Sequence, residues 1–138
     1  MFSAANQAQV QGPLTLRREM LAPRPNPARN ADYLVRLEGA VETALGNVAV
    51  EIAYVPDAVI LAPDAFAAYL KALTRESWGS IEELGGALLA DIESEAVPRY
   101  LRLALRNAAT GGPVSGHAAL FEGCQPGWKN HAMLARMG

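Results

Sequence analysis

Four runs of alternating residues, set as two pairs on either side of two helical stretches, constrain this chain more than any other feature. "DYLVRLEG" places Tyr33, Val35 and Leu37 on one side and Leu34, Arg36 and Glu38 on the other. "NVAVEIAYVPD" opposes Val48, Val50, Ile52 and Tyr54 to Ala49, Glu51 and Ala53. A period of two is the strand signature, because successive side chains of an extended backbone point to opposite faces. The link "AVETALGN" is short and ends in Gly-Asn, so the two runs read as a β-hairpin. "RYLRLALRN" and "VSGHAALFEG", joined through "ATGGP", make the second pair, with Leu101, Leu103 and Leu105 opposed to Tyr100, Arg102, Ala104 and Arg106.

Between the pairs the period becomes helical. Pro63 and Asp64 open one helix, since proline is tolerated in a first turn, and Phe66, Tyr69, Leu70 and Leu73 fall on one stripe. In "SWGSIEELGGALLADIESEA", Ser80 is placed to cap a second helix, with Glu83 three residues on. Leu84, Leu88 and Ile92 form its apolar stripe, Gly85-Gly86 either weakens it or permits close packing, and Pro98 ends it. The order β-β-α-α-β-β predicts an α+β layer of four antiparallel strands with two helices on one face. The other strand faces carry Arg36, Glu38, Glu51, Arg102 and Arg106. Such a face is either solvated or the wall of a wet tunnel, formed when several sheets join edge to edge and cover their edges.

At 138 residues the chain has the length of one domain. With 51% hydrophobic and 19% charged residues it can bury a core. A formal net charge of -2 argues against a nucleic-acid surface, although local arginines can still meet a small anionic group. Cys124 is the single cysteine, and His117 and His131 are the two histidines, so neither an internal disulfide nor a metal centre is expected. No apolar run approaches the roughly 18 residues of a membrane span. "MFSAANQAQVQG" lacks the basic start and apolar stretch of a secretory signal, so a cytoplasmic location is expected. Pro23, Pro25 and Pro27 interrupt regular structure. Residues 1–24 therefore read as a flexible arm, 25–123 as the folded domain and 124–138 as a tail.

"PNPARNADYLVRLE", "VEIAYVPD", "FAAYL", "PRYLRL" and "TGGPVSGHAALFEG", in this order, resemble the tunnelling-fold (T-fold) superfamily. Within it they resemble the QueF-like, NADPH-dependent 7-cyano-7-deazaguanine reductases. The similarity spans about Pro25 to Gly123. It implies a ββααββ unit that assembles into a homo-oligomeric barrel with ligand sites between subunits. It also implies a glutamate at the start of the second helix that holds a purine, pterin or related heterocycle by accepting from two ring N–H groups, a short and directional charge-assisted pair. The best match is Glu82 in "WGSIEEL", with Glu83 adjacent. As a first-turn glutamate, either is also favoured simply by the helix dipole. Ser80 and Ile81 stand where the family has a histidine.

Two functional sets of the family are missing. Its Glu-Ser-Lys-Ser-Phe-Lys-x-Tyr pattern, whose polar residues serve NADPH, is replaced by Ala62, Pro63, Asp64, Ala65, Phe66, Ala67, Ala68 and Tyr69. The packing residues survive, while the lysines that would meet phosphates do not, and Asp64 repels them. The family's nucleophilic cysteine and its aspartate belong to a longer segment between the first two strands; here "GAVETALGN" offers Glu42 alone. The expectation is thus a nicotinamide-independent enzyme without a cofactor, doing acid–base chemistry such as ring opening or closure, hydration or elimination. His117 and Glu42 are the candidate catalytic groups. Glu82, Glu83, Arg29, Arg102 and Arg106 are the candidate ligand contacts. Glu51 is a further polar group for the chemistry. A structural role for His117 fits the sequence equally. One alternative is a non-catalytic ligand-binding or structural ring. Another is an unusual nitrile reductase using Cys124.

Overall fold

Pairing Val41 with Val48 buries both side chains completely, and that pairing decides where the first hairpin turns. The computed structural model describes residues 12–108 and 112–137. In chain order its elements are α1 (Pro13–Met20), β1 (Arg24–Pro25), β2 (Val35–Thr43), β3 (Gly46–Val55), β4 (Val59–Ile60), α2 (Pro63–Thr74), α3 (Ile81–Ala96), β5 (Tyr100–Asn107), β6 (His117–Cys124) and α4 (His131–Met137). The link expected at "AVETALGN" shrinks to Ala44 and Leu45, because both strands run on through it. The Thr43 hydroxyl closes the turn by donating to the Gly46 carbonyl at 2.9 Å and accepting from the Leu45 amide at 3.0 Å. Gly46 takes a φ of 112°, which favours glycine.

The main sheet has the order β2-β3-β5-β6 and is antiparallel throughout, which leaves β2 and β6 as its edges. The smaller pairing of β1 with β4 sits apart from it. Register sorts the residues as alternation predicts. Val48, Val50, Ile52, Tyr54, Leu101, Leu103 and Leu105 are buried in one core with the stripes of α2 and α3. Phe66, Tyr69, Leu70 and Leu73 are all buried, as are Leu84, Leu88 and Ile92. The fourth strand begins at His117, later than expected, and residues 113–116 lead into it without regular structure.

Asp91, one residue before Ile92, has no exposed surface. Its carboxylate accepts from Arg17 Nε at 2.6 Å, Arg18 Nε at 2.7 Å and the Tyr69 hydroxyl at 2.6 Å. Arg17 also donates to Glu76 at 2.7 Å and lies over the Trp78 ring, 5.5 Å from its centroid. These contacts seat α1 on α2 and α3. In its described part, then, the expected arm over residues 1–24 carries a helix held by buried charge; residues 1–11 lie outside the described residues. The tail is ordered too. Met137 of α4 packs with Ala53, Val55 and Tyr100 on the face of the sheet opposite α2 and α3, together with Trp128, Met133 and Leu134. Trp128 stacks on Tyr100 and donates to Asp32 at 3.1 Å. Among the described residues no helix is long and apolar enough to cross a membrane.

Removing one partner of a buried charge cluster strands the others, at a cost of about 3–5 kcal/mol. Asp91→Ala is therefore expected to lower unfolding free energy by at least about 3 kcal/mol in urea denaturation. A loss below about 1 kcal/mol would show that the cluster is dispensable.

Candidate functional site

The first turn of α3 is fixed by Ser80, whose hydroxyl accepts from the Glu83 amide at 3.0 Å. That turn points Glu82 toward β6. Three close approaches align the helix with the strand. Glu82 meets His117, a side chain on Gly85 would strike Phe121, and one on Gly123 would strike Glu93. Both elements advance together along these contacts, so α3 lies along the edge strand in the same direction. Gly85 is what lets it lie so close; any larger residue there would collide with the Phe121 ring and Leu105.

At the end of this seam, His117 Nε2 lies 2.9 Å from Glu82 Oε2. The pair is open to solvent, with side-chain exposures of 43% for His117 and 60% for Glu82. The Glu82 carboxylate also accepts from its own backbone amide. That bond and the one with His117 hold its pKa below the ordinary glutamate range. Two residues expected from sequence as ligand carboxylate and proton carrier are therefore in contact.

The other candidates do not join them within one chain. The Glu83 side chain is exposed beside the pair. Glu42 lies on β2, bonded to Asn47, and β2 stands three strand spacings, about 14 Å, from β6. Arg102 and Arg106 alternate onto the face opposite α3. Arg106 there lines an open depression of about 580 Å³ with Glu38, Glu51, Ala104 and Leu120. Arg29 is at the far end of the sheet, where its carbonyl accepts from Arg99 at 2.6 Å. Arg99 also reaches Asp32 and Asp57, and Gln125 donates to Asp57 at 2.8 Å, tying the tail to the link between β3 and β4. That Gln125 bond, together with the charge of Arg99, holds the Asp57 carboxyl below its usual range. Cys124 ends β6, seven residues beyond His117, which is about 23 Å of strand. Among the described residues no group of three or more His, Cys, Asp or Glu side chains is arranged to hold a metal ion.

Sequence reasoning missed the buried Asp91 cluster, although an aspartate inside an apolar helical stripe and the adjacent Arg17-Arg18 were its visible signals. It also missed the Arg99 hub, whose partners are scattered from Arg29 to Asp57 and leave no local pattern.

No family model matches the chain, and no curated protein matches it. Among solved structures it is similar to the apo form of the archaeosine synthase QueF-Like, at 23% sequence identity and a TM-score of 0.54. The similarity covers 65% of this chain and 94% of that one. The fold is the T-fold unit. Beside its sheet and two long helices, the chain carries α1 against the helices and α4 against the opposite face of the sheet.

Because the folded Glu82 pKa lies below the unfolded one, the Glu82–His117 contact adds stability above the ordinary glutamate range and loses it as pH falls through the folded value. His117→Ala is expected to move the Glu82 titration back up, read by carboxyl-carbon NMR. An unmoved titration would mean that the contact does not persist in solution.

Proposed function

We propose that this chain binds a purine-, deazapurine- or pterin-like ring where two copies meet, with Glu82 accepting from two ring N–H groups. His117 serves as the proton carrier for acid–base chemistry on that ring, without a nicotinamide. The observation that carries this proposal is the Glu82–His117 contact on an open sheet edge. A carboxylate and an imidazole within hydrogen-bond reach can bind and exchange protons with one substrate.

A single chain leaves the pair without a second wall. Neither the depression around Arg106 nor the one between β2 and α2 includes Glu82 or His117. An unpaired edge strand seeks a partner, and closing sheets edge to edge removes the exposed edge. If β2 of a neighbour continues the antiparallel alternation beside β6, its hairpin end meets the His117 end. The partner subunit's Glu42 then approaches the pair that Glu42 of the same chain cannot reach. Arg102 and Arg106 face the enclosed side, where an anionic group of the ligand would meet them.

Two further features favour chemistry other than nitrile reduction. The start of α2 presents Asp64, 80% exposed, whose carboxylate offsets the one arginine beside it, Arg24 at 3.8 Å, and so weakens any hold on a nucleotide phosphate there. Cys124 is far along β6 from His117 within one chain. The similar solved structure bears the name of a synthase, so a QueF-like fold carries at least one activity that is not named a reductase.

Equilibrium binding of guanine, 7-deazaguanine and pterin tests the proposal. At least one ring is expected to bind, and Glu82→Gln to weaken it by roughly tenfold or more, as expected for loss of charge-assisted hydrogen bonds. Binding that Glu82→Gln leaves unchanged would contradict it.

A further inference from the structure

We propose that the groove between β2 and α2 of a second copy is the other wall of the ring site, and that Lys71 in it donates to the ring carbonyl beside the N–H groups that Glu82 accepts. The proposal rests on the ligand role of Glu82 given above and names the residue that a partner contributes.

The groove has a volume of about 490 Å³, and its walls include Leu37, Phe66, Ala67, Leu70, Lys71 and Thr74. It follows an edge of the sheet, where β2 has no further strand beside it among the described residues. At Gly39 the helix lies so close over the strand that any side chain there would strike Leu70.

Two contacts fix the direction of α2 along β2. The Leu61 amide, just ahead of α2, donates to the Tyr54 hydroxyl at 2.9 Å, and Tyr54 pairs with Val35 at the start of β2. Further along the helix, Leu70 meets Gly39, further along the strand. The helix therefore advances with β2, and Lys71 and Thr74 lie toward the hairpin end. Val41 pairs with Val48, Ala49 with Arg106 and Asn107 with His117, so Val41 and His117 share that end of the sheet. A copy whose β2 continues the antiparallel alternation beside β6 brings its α2 next to α3, about 10 Å away as packed helices are. The partner's Lys71 then faces the first turn that carries Glu82.

Charge agrees with this placement. Glu82 and Glu83 open α3, and both are exposed. Lys71 is the cation in the last turn of α2; it is exposed, and among the described residues its ammonium has no hydrogen bond or ion pair. The two edge strands also match in length, at nine and eight residues. The chemistry of the ring asks for the same donor. Guanine, 7-deazaguanine and pterin present a carbonyl oxygen, a ring N–H and an amino group in a row. When Glu82 accepts from the N–H and the amino group, the carbonyl oxygen is left over. An enclosed acceptor without a donor is costly, and an ammonium meets it with a charge-assisted hydrogen bond. The apolar walls of the groove suit the face of the ring.

Calorimetric titration of the full chain with guanine, 7-deazaguanine and pterin, beside light scattering for the assembly, tests this. Lys71→Met is expected to keep the wild-type assembly and to weaken ring binding by roughly tenfold or more, the loss of a charge-assisted hydrogen bond. Coexpressed Lys71→Met and Glu82→Gln chains are expected to recover wild-type affinity at about a quarter of their sites, because each site then draws one residue from each of two copies. Wild-type affinity in Lys71→Met, or a loss that merely follows loss of the assembly, would overturn the role of Lys71 and leave that of Glu82 intact. Two weakened variants whose mixture recovers no tight sites would overturn completion by a second copy. Binding indifferent to Glu82→Gln, or no binding of any ring, would overturn this proposal and the ligand role of Glu82 together.

Discussion

A carboxylate with no exposed surface holds the helical layer of this molecule together. Asp91 sits on α3 but takes its hydrogen bonds from α1 and α2, through Arg17, Arg18 and Tyr69. Burying a charge is costly unless it is paired and hydrogen-bonded. These donors satisfy it only when the three helices occupy one arrangement, so the cluster specifies their positions as well as adding stability. Burial and the bond to Asp91 push the Tyr69 phenol far up, so it remains a donor throughout the physiological range. The position of α3 matters most for the proposed site, since the helix that carries Asp91 also carries Glu82.

The seam between α3 and β6 transmits that constraint to the open end. Gly85 against Phe121 sets the approach, and the first turn, capped by Ser80, aims Glu82 at His117. On the other face of the sheet, α4 covers Ala53, Val55 and Tyr100, while Leu120 remains 67% exposed beside the depression that includes Arg106. The face expected to be either solvated or a tunnel wall is thus divided. One end is sealed by the chain's own tail, and the other presents small apolar residues with charged neighbours.

Much of the layer was legible because burial imposes periods on sequence. Val48 to Tyr54 and Leu101 to Leu105 alternate since one sheet face meets helices, and Phe66 to Leu73 repeats at helical spacing since one stripe meets the sheet. Glu82 and His117 were legible as residues but not as a pair, because 35 positions separate them and only the packing of α3 on β6 brings them together. The turn between β2 and β3 was misplaced because "AVET" has the small and polar residues of a loop, yet Val41 finds a buried partner in Val48. The roles of α1 and α4 were hidden for a different reason. Both are short, and each is ordered by distant partners, Asp91 for one and Asp32 with Tyr100 for the other. Prolines nearby suggested an unstructured arm, whereas Pro13 opens a helix, the position at which proline costs least.

The chain thus has a T-fold framework, and it places a carboxylate and an imidazole together beside an open sheet edge. The most direct measurement is a crystal structure of the protein grown with 7-deazaguanine. The ring is expected to lie against Glu82 with its N–H edge on the carboxylate and a neighbour's β2 beside β6. A ring bound elsewhere, or an assembly in which β6 stays unpaired and Glu82 remains open to solvent, would contradict the central claim.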